Sequence, residues 1–454
     1  MLLRSLRLAV VFAAATPALF AQTTHQPVLL ISVDGMRPDY VTQADQHHLL
    51  IPTLRRILAS GTHATGVNGV LPTITYPSHT TLVTGVPPAQ HGILSNSRFD
   101  PDHNLDGAWY WYADRVKVPT LWSAAKDAGL HTASVSWPVT VDSTVIDYNL
   151  PEYWRGNLGD TANEDDQLLD NAISRPDGEV RRIAERTGRP YMNGNDTSLD
   201  GDETRTVYSL DILKQHRPEF MSIHLSSLDE EEHLHGPFSA EANKDLEGID
   251  AMIDRLIKQE LANYPNAVVA VVSDHGFAHV EHAVNLYIPF VKAGLIKTEN
   301  DKIVSWQAQP WATGCVMPVL LHDPTDEATK AKVKALLDKL AADPKNGIET
   351  ILDHQQIAAA GGFPDAAYLV SFRIGYCSGT NLSGQLVVDS PLKGAHGYNI
   401  AKVPEMRSSL FLTGVGIAQG KDLGLVDMLQ IAPTIAKILG VSLSTAKQSA
   451  LDIH

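Results

Sequence analysis

Apolar positions along the chain form short continuous runs, which alternate with longer stretches of amphipathic pattern. The short runs are rich in β-branched residues and lie at 28–33, 132–137, 220–228, 267–272 and 410–412. Runs of this kind, bounded by polar or turn residues, predict strands. Because they alternate with helical patterns, the order predicts βαβ units and an α/β fold around a largely parallel sheet.

Two helices are predicted from the spacing of apolar residues. Between Ser239 and Tyr264 the apolar positions recur at intervals of three to five, as an amphipathic helix requires. A second helix is predicted over 427–439, with Asp427 as its cap. A third helix start is indicated at Pro77, shortly after a threonine-rich segment.

Two segments follow neither pattern clearly. Residues 155–205 are polar and rich in Gly, Asn and Asp, which predicts a long excursion near the strand ends. Residues 295–379 are predicted to form a small cap subdomain inserted into a catalytic domain that covers 25–454.

The first residues have the layout of a signal peptide. Arg4 and Arg7 precede an apolar stretch at 8–20, and Ala21 is followed by a polar run. A bilayer core of about 30 Å needs about 20 apolar residues, so a permanent anchor is the less favoured alternative. We therefore expect a signal peptide over 1–21 and a soluble, exported protein, periplasmic or secreted, without stable membrane insertion.

Composition and charge narrow the class of protein further. The chain is 44% hydrophobic and 19% charged, as in an ordinary globular protein. Its formal net charge of −16 argues against a nucleic-acid polymer as partner, since such binders present clustered Lys and Arg. Small anionic substrates remain compatible with this charge if metal ions supply local positive charge. The two cysteines, Cys315 and Cys377, could form a disulfide in an oxidising compartment or stay as two buried thiols.

Two polar residues at the predicted element ends are candidates for phosphate chemistry. Asp34 follows the first apolar run, where a carboxylate alone could equally be a helix cap. Thr75 lies just before Pro77, beside the free N–H groups and positive dipole end of the predicted helix, a setting that favours phosphate. Its hydroxyl needs a metal or a base before it can attack phosphorus.

Carboxylate and imidazole side chains later in the chain could hold metal ions. Asp229 and His233 are four residues apart, which places them on one face of a helical turn, although the glutamates between them are also typical of a solvated surface. Asp274 and His275 follow the run at 267–272. His396 is flanked by small residues that would let the backbone approach a metal, whereas a lone histidine is otherwise usually structural. With Asp34 and Thr75, this set could serve two zinc ions with an open coordination position.

At this point the sequence resembles a known family over nearly its whole mature length. It is similar to the nucleotide pyrophosphatase/phosphodiesterase (type I phosphodiesterase) branch of the alkaline phosphatase superfamily. The matching motifs occur in the family's order and are Val33-Asp34-Gly35, Thr75-Tyr76-Pro77-Ser78-His79, His91-Gly92-Ile93 with Asn96, the segment 132–138, Asp229-x-x-x-His233 with Gly236-Pro237, Ser273-Asp274-His275-Gly276, and His396-Gly397. The resemblance implies an alkaline-phosphatase-like three-layer sandwich, with a largely parallel central sheet between helices and a small inserted cap.

The resemblance also implies the roles of the site residues. One zinc ion (Zn²⁺) would be held by Asp229, His233 and His396, and the other by Asp34, Asp274, His275 and the Thr75 oxygen. Thr75 would attack phosphorus to give a phospho-Thr75 intermediate, which water then hydrolyses at neutral to alkaline pH. Asn96 and a backbone N–H near Thr75 would bind a phosphate oxygen in the transition state. Tyr76 and Tyr153 would stack on a nucleobase or leaving group, with simple packing as the alternative for both.

The sequence departs from the family at two positions beside the nucleophile. Ile74 and Ser78 stand where eukaryotic members often have Lys and Asn, which removes a positive charge and argues against a preference for nucleoside triphosphates. Related monoesterases carry a Lys-x-Arg pair that we do not find between 155 and 205, and this favours diesters. We therefore predict an exported two-zinc phosphodiesterase or nucleotide pyrophosphatase acting on a small substrate. The alternatives are an alkaline phosphomonoesterase and a non-catalytic exported zinc- or ligand-binding protein; the oligomeric state is not predicted.

Overall fold

The structure of the protein, a computed structural model, describes residues 25–101, 109–153, 164–192 and 194–454. The predicted signal peptide at 1–21 and part of the segment 155–205 lie outside these residues. Among the described helices, none combines the length and the apolar character that a membrane crossing requires.

The strands of the described residues are numbered in chain order. They are β1 (Val28–Val33), β2 (Thr62–His63), β3 (Gly66–Asn68), β4 (Thr132–Val135), β5 (Tyr148–Leu150), β6 (Phe220–Leu225), β7 (Val268–Val272), β8 (Ala278–Val284), β9 (Ile296–Glu299), β10 (Lys302–Trp306), β11 (Ala308–Pro310), β12 (Val316–Leu321), β13 (Ile348–Asp353), β14 (Ala366–Phe372), β15 (Gly375–Ser378), β16 (Val387–Asp389), β17 (Gly394–Ala395), β18 (Leu410–Gly414), β19 (Lys421–Asp422) and β20 (Leu425–Asp427).

The α-helices of the same residues are numbered in the same way. They are α1 (Pro38–Thr42), α2 (Pro52–Ser60), α3 (Thr75–Thr84), α4 (Pro88–His91), α5 (Leu121–Asp127), α6 (Glu164–Ile173), α7 (Glu179–Thr187), α8 (Leu199–His216), α9 (Ser227–His235), α10 (Ala240–Asn263), α11 (Tyr287–Lys292), α12 (Glu327–Ala341), α13 (His354–Ala359) and α14 (Ile431–Leu439).

An eight-stranded sheet forms the centre of the molecule, in the order β19-β2-β18-β7-β1-β6-β4-β5. Strand β1 runs parallel to both of its neighbours, β6 and β7, and β4 runs parallel to β5 and β6. Strand β18 is antiparallel to β7. The sheet is thus largely parallel, as predicted, and the carboxyl ends of β1, β6 and β7 meet at one edge.

Side chains from both faces of the sheet are buried under helices. Along β1, Leu29, Ile31 and Val33 pack on one face with α2, α8 and α10, whereas Val28 and Leu30 pack on the other with α3, α5 and α14. A strand covered on both faces has no solvated side, which explains why β1 is a continuous apolar run. The three layers confirm the predicted α/β class.

A smaller antiparallel sheet, β11-β12-β14-β13, is formed within the segment 308–372. It lies inside the predicted cap at 295–379, but β15 near the end of that segment pairs with β8 instead. Cys315 and Cys377 form a disulfide that connects these two parts, so the disulfide is the correct one of the two alternatives.

Several predicted boundaries are corrected by the structure. Helix α3 begins at Thr75, two residues before the predicted start at Pro77. Asp427 caps a short 3-10 turn, and α14 itself begins at Ile431. The described part of 155–205 contains α6, α7 and the start of α8 rather than an irregular excursion. Glu179 pairs with arginines one and two turns further along α7, and the Ser198 side chain caps α8 by accepting from the Gly201 N–H.

Candidate active site

The predicted site residues meet at the carboxyl edge of the central sheet. Asp34 directly follows β1, and Asp274 and His275 follow β7 after a single residue. Helix α9 follows β6 and carries Asp229 and His233 on successive turns. His396 directly follows β17. The two residues of β17 pair with β8, the strand that comes shortly after Asp274 and His275, and this pairing brings His396 to the same edge.

Three of these residues, Asp34, Asp274 and His275, form a buried group that we call the aspartate-rich trio. Nε2 of His275 lies 3.3 Å from Oδ1 of Asp34 and 3.0 Å from Oδ2 of Asp274. Gly35 closes the turn after β1 with a φ of 73°, and its N–H donates to Oδ1 of Asp274 at 3.2 Å. A Cβ at Gly35 would lie 2.6 Å from Oε2 of Glu232, so the turn requires glycine.

Asp229, His233 and His396 form a second group, the histidine-rich trio. Oδ2 of Asp229 lies 3.4 Å from Nε2 of His233, and its Oδ1 lies 3.6 Å from Nε2 of His396. The rings of His275 and His396 are stacked with centroids 3.7 Å apart, so the two trios adjoin. In each trio one ligand atom per residue lies within 4.8 Å of the others, a spacing that suits one metal ion per trio.

The three imidazoles are oriented by backbone carbonyls. Nδ1 of His233, His275 and His396 faces the carbonyls of Gly394, Gly276 and Thr73 at 3.1, 3.2 and 3.3 Å, respectively. A ring that donates from Nδ1 to a carbonyl keeps an unprotonated Nε2, which is the form that binds a metal. All three Nε2 atoms therefore present lone pairs to the trios.

The carboxylates offer matching oxygen ligands. Among the described residues, Oδ1 of Asp34, Oδ1 of Asp229 and Oδ2 of Asp274 are buried without a hydrogen-bond partner. Burial raises the pKa of all three carboxyls, and a neighbouring carboxylate raises the pKa of Asp34 and Asp274 further. Lone pairs that face one another at this density are unfavourable unless a cation lies between them, so the residues fit divalent metal ions.

The buried imidazoles of His275 and His396 remain neutral in this setting. Burial lowers the pKa of His275 and His396 well below the ordinary value, and a neighbouring imidazole lowers each further. Neutral imidazole nitrogen together with carboxylate oxygen is a donor set that Zn²⁺ accepts.

Thr75 lies at the aspartate-rich trio as the first residue of α3. Its Oγ1 is 3.5 Å from Nε2 of His275. His79, one turn along α3, is fully buried and contacts the Thr75 carbonyl at 2.9 Å and the Ser32 hydroxyl of β1 at 2.9 Å. The hydroxyl of Thr75 is thus held at the start of a helix that is fastened to the central strand.

Asn96 lies beside the start of α3 on the loop after α4. Its Oδ1 accepts a hydrogen bond from the Tyr76 N–H at 3.0 Å. Because the oxygen is engaged in this way, the amide NH₂ is the end of the side chain that can donate to a ligand. The Tyr76 N–H is used within the protein, so it is not the backbone donor expected near Thr75.

The two predicted stacking residues occupy different surroundings. Tyr76 is fully buried; its hydroxyl donates to Glu152 at 2.7 Å and its ring packs edge-on against Trp109. The prediction that Tyr76 stacks on a substrate does not fit this burial, and the packing alternative does. Tyr153 is half-buried with its ring centroid 5.1 Å from that of Trp111, and it belongs to the same aromatic cluster.

Gly397, one of the small residues next to His396, is required for packing; that these residues also let the backbone approach a metal stays a prediction. Gly397 has a φ of 89°, and a Cβ there would lie 2.8 Å from Cα of Gly314. The small side chain is therefore needed for close packing against the chain at 314–315, where the Cys315 N–H donates to the His396 carbonyl at 3.1 Å.

Two residues that contact the site, His224 and Glu152, were missed by sequence reasoning. His224 contacts Asp34 through Nε2 at 3.0 Å and Glu152 through Nδ1 at 2.9 Å. The signal for His224 was present, because an imidazole inside the otherwise apolar run of β6 is unusual for a buried strand. No local signal marks Glu152, which follows β5 and reaches the site only through the fold.

The comparisons with known proteins agree with this geometry. Residues 28–399 match the family model described as type I phosphodiesterase/nucleotide pyrophosphatase. Human ectonucleotide pyrophosphatase/phosphodiesterase family member 1 is 26% identical over 256 residues, which are 55% of this chain and 23% of that protein. Venom phosphodiesterase 2 of Crotalus adamanteus is 25% identical over 279 residues, 59% of this chain and 28% of that protein. The matched part thus spans about a quarter of the length of these relatives.

Solved structures resemble the whole described fold. Murine ectonucleotide pyrophosphatase/phosphodiesterase 5 superposes with a TM-score of 0.64 at 18% identity, covering 94% of this chain and 98% of that one. The same murine protein, as an inactive threonine-to-alanine variant in complex with AMP, superposes with a TM-score of 0.63 at 18% identity, covering 94% and 97% of the two chains. At this identity the likeness establishes the fold, which is the predicted one.

Proposed function

Because the chain belongs to the type I phosphodiesterase/nucleotide pyrophosphatase family, we propose that it hydrolyses phosphodiester or pyrophosphate bonds of small substrates with Thr75 as nucleophile. The observation that carries this proposal is the meeting of the two trios beside the Thr75 hydroxyl at the start of α3. The two trios adjoin through the stacked rings of His275 and His396, and the Thr75 hydroxyl contacts His275 at their junction.

We propose that the trios hold two Zn²⁺ ions. Asp34, Asp274 and His275 would hold one, with Thr75 as an additional ligand, and Asp229, His233 and His396 would hold the other. Metal ions bound there would lower the pKa of nearby hydroxyl groups and offset the negative charge of the reacting phosphate. The unpartnered carboxylate oxygens and the oriented Nε2 atoms support this assignment.

The protein's own groups define the course of the reaction. Oγ1 of Thr75 gives its proton to water and forms a bond to phosphorus, while the bond from phosphorus to the leaving oxygen breaks on the opposite side and that oxygen takes up a proton from water. Water then attacks phosphorus, breaks the bond to Oγ1 and restores the threonine. Asn96 would donate its NH₂ to a nonbridging phosphate oxygen, since its Oδ1 is fixed by the Tyr76 N–H.

The named relatives support the nucleophile and the class of substrate. The murine relative is described as inactive once a threonine is replaced by alanine, and it was solved in complex with AMP. We propose small nucleotides and related diesters as substrates here too. Ile74, in place of a family lysine, is buried and packs against Gly314 and Gly397, so it presents no charge to a phosphate chain.

We further propose that the protein is exported. The relatives include ectoenzymes and venom enzymes by name, and the disulfide between Cys315 and Cys377 is the kind of bond that persists in an oxidising compartment. The predicted signal peptide at 1–21 would supply the route.

The test compares kcat/KM of the zinc-loaded protein on bis(p-nitrophenyl) phosphate and p-nitrophenyl phosphate. We expect a preference for the diester, a loss on the order of 10³-fold or more in Thr75→Ala, and partial activity in Thr75→Ser, which keeps a hydroxyl. A monoester preference would instead identify an alkaline phosphomonoesterase. Zinc binding without any turnover would identify the non-catalytic alternative.

A further inference from the structure

A continuous hydrogen-bonded path runs behind the site from Asp34 to Asn96. Oδ2 of Asp34 lies 3.0 Å from Nε2 of His224, whose Nδ1 lies 2.9 Å from Oε2 of Glu152. The other carboxylate oxygen of Glu152 accepts from the Tyr76 hydroxyl at 2.7 Å, and the Tyr76 N–H donates to Asn96 at 3.0 Å. The path therefore joins the first candidate metal ligand to the residue that follows the nucleophile.

His224 and Glu152, in the middle of this path, are buried so deeply that unpaired polar atoms on them would reduce the stability of the fold. His224 and Glu152 expose 1% and 5% of their surface. Buried polar groups reduce stability unless each finds a partner, and here both oxygens of Glu152 and both ring nitrogens of His224 do. Both nitrogens face oxygen atoms, including the Ser136 carbonyl at 3.1 Å.

The two carboxylate oxygens of Asp34 have different neighbours, because one of them contacts His224. Oδ2 is engaged by the imidazole, whereas Oδ1 has no hydrogen-bond partner among the described residues and faces His275. A carboxylate held in this way cannot rotate freely about its Cβ–Cγ bond. Oδ1 is therefore the oxygen that Asp34 presents to a metal ion held by the aspartate-rich trio.

Glu152 connects the same path to the start of α3. Glu152 follows β5, and its bond to the Tyr76 hydroxyl ties the first turn of α3 to the sheet. The Tyr76 backbone in turn orients Asn96. His224 and Glu152 thus connect Asp34 to Tyr76 and Asn96, in addition to the contact of His79 that fastens α3 to β1.

We propose that His224 and Glu152 are positioning residues, which fix Asp34 relative to the start of α3 and so set metal affinity and transition-state binding. This inference rests on the proposed two-metal site. Both residues act through the protein groups that they contact: His224 through Asp34, and Glu152 through Tyr76 and so Asn96.

The first test measures zinc affinity by competition with a chromophoric chelator in His224→Ala, His224→Gln and the matched control Ser222→Ala. Ser222 is buried on the same strand two residues earlier and bonds only to the Ser134 hydroxyl at 2.9 Å among its described side-chain contacts. We expect His224→Ala to bind one of its two zinc ions about 10–100-fold more weakly. His224→Gln should recover part of the loss, since its amide can still donate to Asp34, and Ser222→Ala should match the wild type.

The second test separates positioning from general destabilisation by kinetics. Glu152→Ala should lower kcat more than it raises KM, because Asn96 would act mainly in the transition state, and Glu152→Gln should restore part of kcat. Unchanged zinc affinity and kcat in His224→Ala would overturn the inference while leaving the proposed function intact. Equal weakening of both zinc ions, in step with the melting temperature, would also overturn it. A wild-type protein that binds no zinc would overturn the inference and the proposed function together.

Discussion

Glu260 on α10 shows how a single buried carboxyl couples stability to pH. Its side chain is almost fully buried, Oε2 has no partner among the described residues, and burial raises its pKa from 4.5 to about 8. Between these two values the folded protein binds more protons than the unfolded chain, so the free energy of unfolding decreases as pH rises from 4.5 to about 8. Below pH 4.5 the carboxyl is protonated in both states and lowers the free energy of unfolding little. Above about pH 8 it is ionised in both states, and the full cost of burying its charge lowers the free energy of unfolding.

Replacement of this carboxyl should therefore be stabilising at alkaline pH. We expect the difference in free energy of unfolding between Glu260→Gln and the wild type to grow by roughly 3 kcal/mol from about pH 5.5 to pH 9. Urea unfolding at both pH values measures it. The exposed Glu349→Gln is the control and should show no such growth. A pH-independent difference for Glu260→Gln would contradict the assignment.

Single residues of the candidate site could be predicted where motif and strand end coincide. Asp34 stands directly after an apolar run and Asp274 one residue after another, and the structure brings them together because parallel strands end at one edge. Glu152 could not be predicted, because its contact with His224 joins elements that are far apart in sequence. The choice between stacking and packing for Tyr76 could not be made from the sequence, because its burial against Trp109 depends on the fold.

At the scale of elements, the start of α9 is held by a buried charged group. Asp202 on α8 accepts hydrogen bonds from the N–H groups of Ser226 and Ser227, each at 3.0 Å, and forms an ion pair with the buried Arg205. These bonds satisfy N–H groups at the start of the helix that carries Asp229. The position of a candidate metal ligand therefore depends on α8.

Removal of Asp202 should be strongly destabilising. Asp202→Ala leaves Arg205 buried without its carboxylate, and we expect a loss of about 3–5 kcal/mol in the free energy of unfolding, measured by urea denaturation. Asp338→Ala removes an exposed partner of Lys334 and should cost less than about 1 kcal/mol. If both variants lost the same amount, the ion pair would have no special role at α9.

Elements themselves were predictable to different degrees. Strand β1 and helix α10 agree with the prediction because their patterns are long and regular. The start of α3 was placed two residues late, since proline was taken as its first residue although it occupies the third helical position. Helices α6 and α7 were missed because the polar composition of the segment predicts a loop. Helix α7 is stabilised by the ion pairs of Glu179 and by burial of Val180 and Ile183, which are weaker signals in the sequence than composition.

At the scale of the whole molecule, the disulfide links the smaller sheet to the strands around β8. Cys315 is also bonded through its N–H to the His396 carbonyl, so the link lies next to the histidine-rich trio. Cross-linking residues separated by 62 positions restricts the unfolded chain. A disulfide of this kind typically contributes about 2–4 kcal/mol.

The double variant Cys315→Ser with Cys377→Ser should accordingly lose about 2–4 kcal/mol of stability. Thermal unfolding with and without dithiothreitol measures this, since the reductant should lower the melting temperature of the wild type and leave the double variant unchanged. A wild type that is insensitive to full reduction would show that the bond does not stabilise the fold.

The overall architecture was predicted more fully than its internal divisions. Alternating strands and helices indicate a parallel α/β sheet, and the ordered motifs point to the family that matches 28–399. The pairing of β15 with β8 joins residues nearly a hundred positions apart, and no local pattern signals it. The limits of the predicted cap at 295–379 stay a prediction.

The central claim is that hydrolysis passes through a covalent bond between Thr75 and phosphorus. The most direct measurement is the stereochemical course at phosphorus, determined with a chiral phosphorothioate diester hydrolysed in ¹⁸O-labelled water. Two successive in-line displacements, first by Thr75 and then by water, each invert phosphorus, so the account predicts net retention. Net inversion would mean that water attacks the substrate directly, and it would contradict the role assigned to Thr75.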